Sequence, residues 1–286
     1  MKAQKQRLYN DVEFLTTLRP YRNHQNPASL EKVCNHIKDE FKKAGLESEE
    51  QKWIAGGTEY KNIIASYNKD KSKRLIVGAH YDVCGDQPGA DDNASAVAGL
   101  LETARMISKN KPAIDYRIDF VAYCLEEPPY FGSHEMGSYV HAKFLHDNNV
   151  DVIGMICYEM IGYFSDKPDS QRYPSPELAK LYPNAGNFII VVGTQDYKDF
   201  NNKVHQLMSE ETEIDVRVIS LPSNDNLAGL SDQRSYREFG YKALMINDTS
   251  FMRNDNYHKT TDTIETLNFD KMAEVINSSY NAITKL

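Results

Sequence analysis

The sequence predicts an α/β fold with a mostly parallel central sheet, and three observations carry that prediction. Strand-sized apolar runs alternate with segments of helical periodicity along the chain. The runs at 75–79, 120–124 and 152–157 are densely apolar, the pattern of strands buried on both faces. No internal repeat or low-complexity linker interrupts the alternation, and 286 residues suffice for one large domain without requiring two.

Taken in order, Leu30, Val33, Ile37 and Phe41 recur at helical spacing and predict a helix over 29–44, stopped by Gly45. Strands are expected at 48–54 and 60–67, then a buried central strand at 74–79. A loop rich in Gly, Pro and Asp leads into a helix over 94–109, with Val97, Leu100, Leu101, Ala104 and Ile107 along one side. A strand at 116–124, a helix at 138–148 and a strand at 152–160 follow. Segments 187–192, 199–209, 215–219, 232–239, 242–246 and 269–286 continue the rhythm. Residues 163–186, rich in Pro, Ser, Asp and Tyr, break it. They read either as a lid or binding loop over a single domain spanning 1–286, or as a surface excursion without function.

Hydrophobic residues make up 41% and charged residues 26%, the balance of a soluble globular protein. The net charge of −8 comes without a basic patch, which argues against a nucleic-acid partner. No apolar stretch is long enough to cross a bilayer, and the polar start Met1-Lys2-Ala3-Gln4-Lys5-Gln6 reads as no signal peptide. Cys34, Cys84, Cys124 and Cys157 form no close pair, so buried free thiols are expected rather than a zinc ribbon or a redox motif.

The chemistry collects where strands end. His80-Tyr81-Asp82 follows the run 74–79, and ligands in open α/β sheets gather at the carboxyl ends of strands. His80 and Asp82 alternate along extended chain and so project the same way, as suits a metal ligand and a carboxylate that orients it. Asp91-Asp92-Asn93 precedes the next helix, where the carboxylates either cap it or bind metal. Glu126-Glu127 ends the strand at 116–124; one glutamate can bind a metal while its neighbour reaches the water on it. Glu159 ends an otherwise apolar strand, where an unpaired carboxylate would be costly to bury. Tyr257-His258 lies in the loop before the last helix. Two imidazoles and several carboxylates, without cysteine, suit catalytic zinc, with manganese or cobalt as substitutes.

His80-Tyr81-Asp82, Gly89-Ala90-Asp91-Asp92-Asn93-Ala94-Ser95, Glu126-Glu127, Glu159-Met160-Ile161-Gly162 and Tyr257-His258 stand in the order found in the co-catalytic zinc aminopeptidases. The sequence thus resembles metallopeptidase family twenty-eight of clan MH, over about residues 74–262. The resemblance implies a three-layer sandwich, a central mostly parallel mixed sheet flanked by helices (the zinc exopeptidase fold), holding two zinc ions. It implies that His80 binds one metal, oriented by Asp82, that Asp92 bridges both, that Glu159 completes the first, and that Glu127 and His258 bind the second. Asp91 would be a neighbour of the bridge. Glu126 would be the general base and acid, and Tyr257 would stabilise the oxyanion. Many family members carry Asp at the position of Glu159, and many carry His where Gln233 stands; Gln233 is given no catalytic role.

The activity implied is removal of N-terminal residues from peptides with a free amine. Two metals about 3.5–4 Å apart would activate a shared water, and Glu126 would carry its proton to the leaving amine. Three rivals stay open on the sequence: a single-zinc glutaminyl cyclase, a carboxypeptidase, and a non-catalytic binding protein on the same fold. The carboxypeptidase would need a cationic clamp, for which Arg234, Arg237, Arg253 and Lys259 are the nearby candidates. Tyr163, Phe164, Tyr173 and Phe251 are candidate pocket walls.

Overall fold

The apolar runs come to lie side by side. In a computed structural model, which describes residues 1–210 and 212–286, eight strands form one sheet in the order β1-β2-β4-β3-β5-β8-β6-β7. They are β1 (Ser48–Ala55), β2 (Thr58–Tyr67), β3 (Arg74–His80), β4 (Arg117–Tyr123), β5 (Val152–Glu159), β6 (Phe188–Thr194), β7 (Asp215–Leu221) and β8 (Ala243–Asn247). The central strands β4, β3, β5 and β8 run parallel. β2 joins β4, and β6 joins β8, in antiparallel register, so the sheet is mixed.

The helices are α1 (Lys5–Thr17), α2 (Pro27–Lys43), α3 (Ala96–Asn110), α4 (Gly137–Asp147), α5 (Pro176–Leu181), α6 (Lys198–Met208), α7 (Gln233–Glu238) and α8 (Phe269–Lys285). On one face, α1, α2, α3, α6 and α8 press Leu8, Ile37, Leu100, Val204 and Ile276 against Leu75, Val77 and Phe120 of the sheet. On the other, α4 and α7 bring Leu145 and Tyr236 onto Ile76, Val121 and Met155. Alternate residues of β3 thus feed both cores, which is why this strand reads as continuously apolar. Each Leu, Ile, Val or Phe sealed this way contributes about 1.5–3 kcal/mol of transfer free energy. The result is the three-layer α/β sandwich the sequence predicts.

Two helices escape the sequence reading. In α1, Leu8, Val12 and Leu15 recur at helical spacing and are fully buried, but the polar residues around them mask the stripe. Helix α5 lies inside the irregular stretch 163–186, with Ser175 capping its first turn through Leu178 N and Pro176 at its first position. The third helix also begins later than expected, at Ala96. Residues 90–95 instead form a wide irregular turn in which Asp92 and Asn93 leave helical geometry and the Asp92–Asn93 peptide is cis. Asp91 and Asp92 therefore do not cap α3; their side chains are engaged elsewhere, as described below. No helix among the described residues is long and apolar enough to cross a membrane.

Candidate metal centre

The parallel strands deliver their carboxyl ends to one place. His80 is the last residue of β3 and Glu159 the last of β5, while Glu126 and Glu127 lie just past β4. The turn after β3 brings back Asp92, and the loop after β8 brings His258. Asp92 stands between the two imidazoles: Oδ1 is 3.5 Å from His80 Nε2, and Oδ2 is 3.0 Å from His258 Nε2. On the His80 side, Glu159 Oε2 approaches Nε2 to 3.2 Å and Glu126 Oε2 to 3.7 Å. On the His258 side, Glu127 Oε2 lies 3.3 Å from Nε2. All six side chains that the sequence nominates as ligands or base thus converge, and all but His258 are buried.

A second set of residues fixes these groups. Asp82 Oδ1 accepts from Glu126 N at 3.2 Å, and Oδ2 accepts from Glu127 N at 3.1 Å. Its carboxylate is 3.6 Å from His80 Nδ1, farther than its own backbone carbonyl at 3.2 Å. Asp82 thus holds the Glu126-Glu127 backbone, while both its carboxylate and its carbonyl face the His80 ring. Asp262 does the same for the bridging turn, accepting from Asp91 N at 2.9 Å and Asp92 N at 3.1 Å. Asp91 faces away from the imidazoles, accepting from Gly162 N and Asn254 Nδ2. Glu159 Oε2 accepts from Ser231 Oγ at 2.6 Å and Asn93 Nδ2 at 3.2 Å. Arg22, fully buried, donates to the carbonyls of Leu15, Tyr81, Pro88 and Gly89, tying α1 to the loop between His80 and Asp92.

The electrostatics follow from packing so many acids together. Burial raises the Glu127 carboxyl to about 7, with Asp92 adding to the effect. Burial raises Glu126 well above its ordinary value and Glu159 in the same direction. Burial acts the same way on Asp92, but its contacts with His258 and His80 prevail and hold it low. His258 is raised to about 10 against the opposing effect of burial, because Asp92 and Glu127 face it.

This donor set fits divalent cations. Among the described residues Glu127 Oε1, which is buried, finds no hydrogen-bond partner, and neither does His258 Nε2, close as it is to two carboxylates. Ligand atoms of His80, Asp92 and Glu127 lie within 4.8 Å of one another, as do those of Cys84, Glu127 and His258. Nitrogen and oxygen donors grouped in this way match zinc.

Tyr257 stacks on His258, with ring centroids 3.8 Å apart, and lines an apolar cavity that reaches Glu159. This cavity encloses about 860 Å³, its open mouth included, and Ile190, Ile219, Leu227 and Met245 form much of its wall. Tyr173 and Phe251 line it as well; Tyr163 and Phe164 do not. The proposed cationic clamp does not assemble. Arg253 donates to the Phe188 and Tyr163 carbonyls, Lys259 is exposed on the Asp255 carbonyl, and Arg234 and Arg237 line a separate polar cavity beside Phe131. Gln233 bonds the Ala228 carbonyl. The sequence reading missed Cys84, Asp262 and Arg22. Cys84 stands just past the first motif and Asp262 just past the last; Arg22 has no signal beside it.

Comparison with known proteins agrees with this architecture. A family model described as Peptidase family M28 matches residues 62–282. The uncharacterized protein YfbL of Escherichia coli is 40% identical, over 96% of this chain and 86% of its own. Leucine aminopeptidase 1 of Sclerotinia sclerotiorum is 25% identical, over 94% of this chain and 68% of its own. Among solved structures, the LapA aminopeptidase of Legionella pneumophila superposes with a TM-score of 0.78 at 21% identity, covering 99% of this chain and 72% of that one. A glutaminyl cyclase from Bacteroides thetaiotaomicron superposes with a TM-score of 0.76 at 20% identity, covering 100% and 99%. These two share the fold. With the family model spanning most of the sequence, the chain belongs to peptidase family M28.

Proposed function

We propose that the protein is a two-zinc aminopeptidase that removes N-terminal residues with large apolar side chains. One observation carries the reading: Asp92 presents separate oxygens to His80 and His258, with Glu159 on one side and Glu127 on the other. Three donors would hold each ion: His80, Asp92 and Glu159 the first, Asp92, Glu127 and His258 the second. Bound zinc supplies a water acidic enough to be deprotonated near neutral pH and polarises the scissile carbonyl.

The chain's own groups do the rest. Glu126, held at its backbone by Asp82, takes the water's proton on a carboxylate oxygen and passes it to the leaving amine. The Tyr257 hydroxyl donates to the developing oxyanion; burial and the surrounding carboxylates raise its pKa, so it stays protonated. The apolar cavity next to Glu159 receives the side chain of the residue removed, and the stretch 163–186, which contributes Tyr173, Leu178 and Tyr182 to its wall, serves as its lid. Glu159 accepts the substrate's free amine beside the first ion.

The glutaminyl cyclase alternative shares the fold and much of the ligand set, so zinc stoichiometry and substrate separate the two. Donors on both sides of Asp92 suit two ions, whereas the cyclase reading needs one. The test is a panel of leucyl, alanyl, N-acetyl-leucyl and glutaminyl substrates with the zinc-loaded protein. Cleavage of free-amine leucyl substrates, with none of the N-acetyl form, is expected. Ammonia release from glutaminyl peptides without amide hydrolysis would overturn the reading.

A further inference from the structure

The sequence assigns all four cysteines to one role, and the structure separates them. Cys34, Cys124 and Cys157 are buried in the core as free thiols, whereas Cys84 is partly exposed, on the loop between His80 and Asp92. Its Sγ, a carboxylate oxygen of Glu127 and a ring nitrogen of His258 all lie within 4.8 Å of one another. Glu127 is only 4% exposed, and its Oε1 has no hydrogen-bond partner among the described residues. The backbone is tied down on both sides of the cysteine: Val83 N donates to the Arg22 carbonyl at 3.1 Å, and Asn23 Nδ2 donates to the Gly85 carbonyl at 2.6 Å.

We propose that Cys84 is a ligand of the second metal, completing with Asp92, Glu127 and His258 a four-donor set selective for a thiophilic divalent cation. This inference rests on the two-metal reading. Zinc–sulfur bonds of about 2.3 Å and zinc–nitrogen bonds of about 2.0–2.1 Å put tetrahedral donors roughly 3.5 Å apart, so Cys84, Glu127 and His258, now within 4.8 Å of one another, would draw together on binding. Ligation converts the thiol to a thiolate, and its proton leaves to solvent. The mixed sulfur, nitrogen and oxygen set favours zinc, cobalt or cadmium over manganese or magnesium.

The consequence is asymmetry. Four protein donors would hold the second ion, against the three, His80, Asp92 and Glu159, that would hold the first. Glu126, the proposed base, lies on the three-donor side, 3.7 Å from His80 Nε2.

The test is electronic absorption of the protein loaded with two cobalt ions, beside the Cys84→Ser variant. A thiolate-to-cobalt charge-transfer band in the near ultraviolet is expected in the parent and absent from the variant. Affinity for the second ion should fall in the variant by at least the roughly 10–100-fold typical of a lost outer-sphere partner. Mass-mapped alkylation gives an independent readout: zinc should slow iodoacetamide labelling of Cys84. Two bound cobalt ions with no sulfur band, and labelling indifferent to zinc, would overturn the proposal and leave the two-metal reading standing. Failure to bind a second ion at all would overturn both.

Discussion

Ser231 Oγ donates to Glu159 Oε2 at 2.6 Å, and that same oxygen is the one that faces His80. Glu159 is one methylene longer than the aspartate that many relatives carry there, so its carboxylate needs a hold that a shorter side chain would not. Ser231 and Asn93 supply it, and Asn247 Nδ2 secures the Glu159 carbonyl at 2.6 Å. Ser231→Ala should therefore weaken the first metal by roughly 10–100-fold, the scale for removing a partner that orients a ligand. Chelator competition measures this. Unchanged affinity would mean that packing alone places Glu159.

Glu126→Gln keeps the shape of the side chain and removes the base. Metal content should be unchanged, while kcat falls by about 10²–10⁴. Turnover near that of the parent would remove Glu126 from the proton-transfer role.

Arg22 donates to four backbone carbonyls from a fully buried position, although burial lowers its pKa to about 10. Arg22→Met would remove the side-chain donor from the Leu15, Tyr81 and Pro88 carbonyls, each at a cost of about 1–3 kcal/mol, while Gly89 O keeps the bond from Ala94 N. A clear drop in the urea midpoint is expected, with weaker metal binding because the loop between His80 and Asp92 loses its anchor to α1. Arg22→Met with an unaltered midpoint would contradict the anchoring role.

His141 titrates away from the metal centre. Burial lowers its pKa to about 4, and it sits against the Tyr236 hydroxyl. The unfolded chain, with an ordinary histidine value near 6.5, binds the extra proton first. Stability is therefore whole above about pH 6.5, falls as the pH drops towards 4, and loses on the order of 3 kcal/mol from this residue. Other groups also titrate as the pH falls, so the informative quantity is the difference between the parent and His141→Asn. That difference should itself depend on pH between 4 and 6.5; a flat difference would mean that His141 is already charged in the fold.

Ile219 lies half-buried in the wall of the apolar cavity. Ile219→Trp should fill the space meant for the departing side chain. It should lower kcat/KM for leucyl substrates by at least about tenfold relative to alanyl ones, since each methylene in such a pocket is worth about 1–3 kcal/mol. An equal effect on both would place the side-chain pocket elsewhere.

What the sequence disclosed and what it hid follow from how local each signal is. His80 and Glu159 each end a run of buried apolar residues, and Glu126-Glu127 stands just past another, so strand and ligand are legible together. Cys84 reaches Glu127 and His258 only because the loop after β3 folds back, and Arg22 acts on carbonyls some sixty residues away. Nothing periodic announces either. Asp82 shows the same limit at short range. Alternation puts it on the His80 side correctly, but its two strongest bonds run to the end of the neighbouring strand.

The central claim is that Asp92 joins two metal sites, and metal content by mass spectrometry tests it most directly. The parent loaded with zinc and freed of excess should hold close to two ions per chain, and His258→Ala, in which only one set of donors is damaged, should hold close to one. A parent that binds a single ion, or a variant that keeps both, would contradict it.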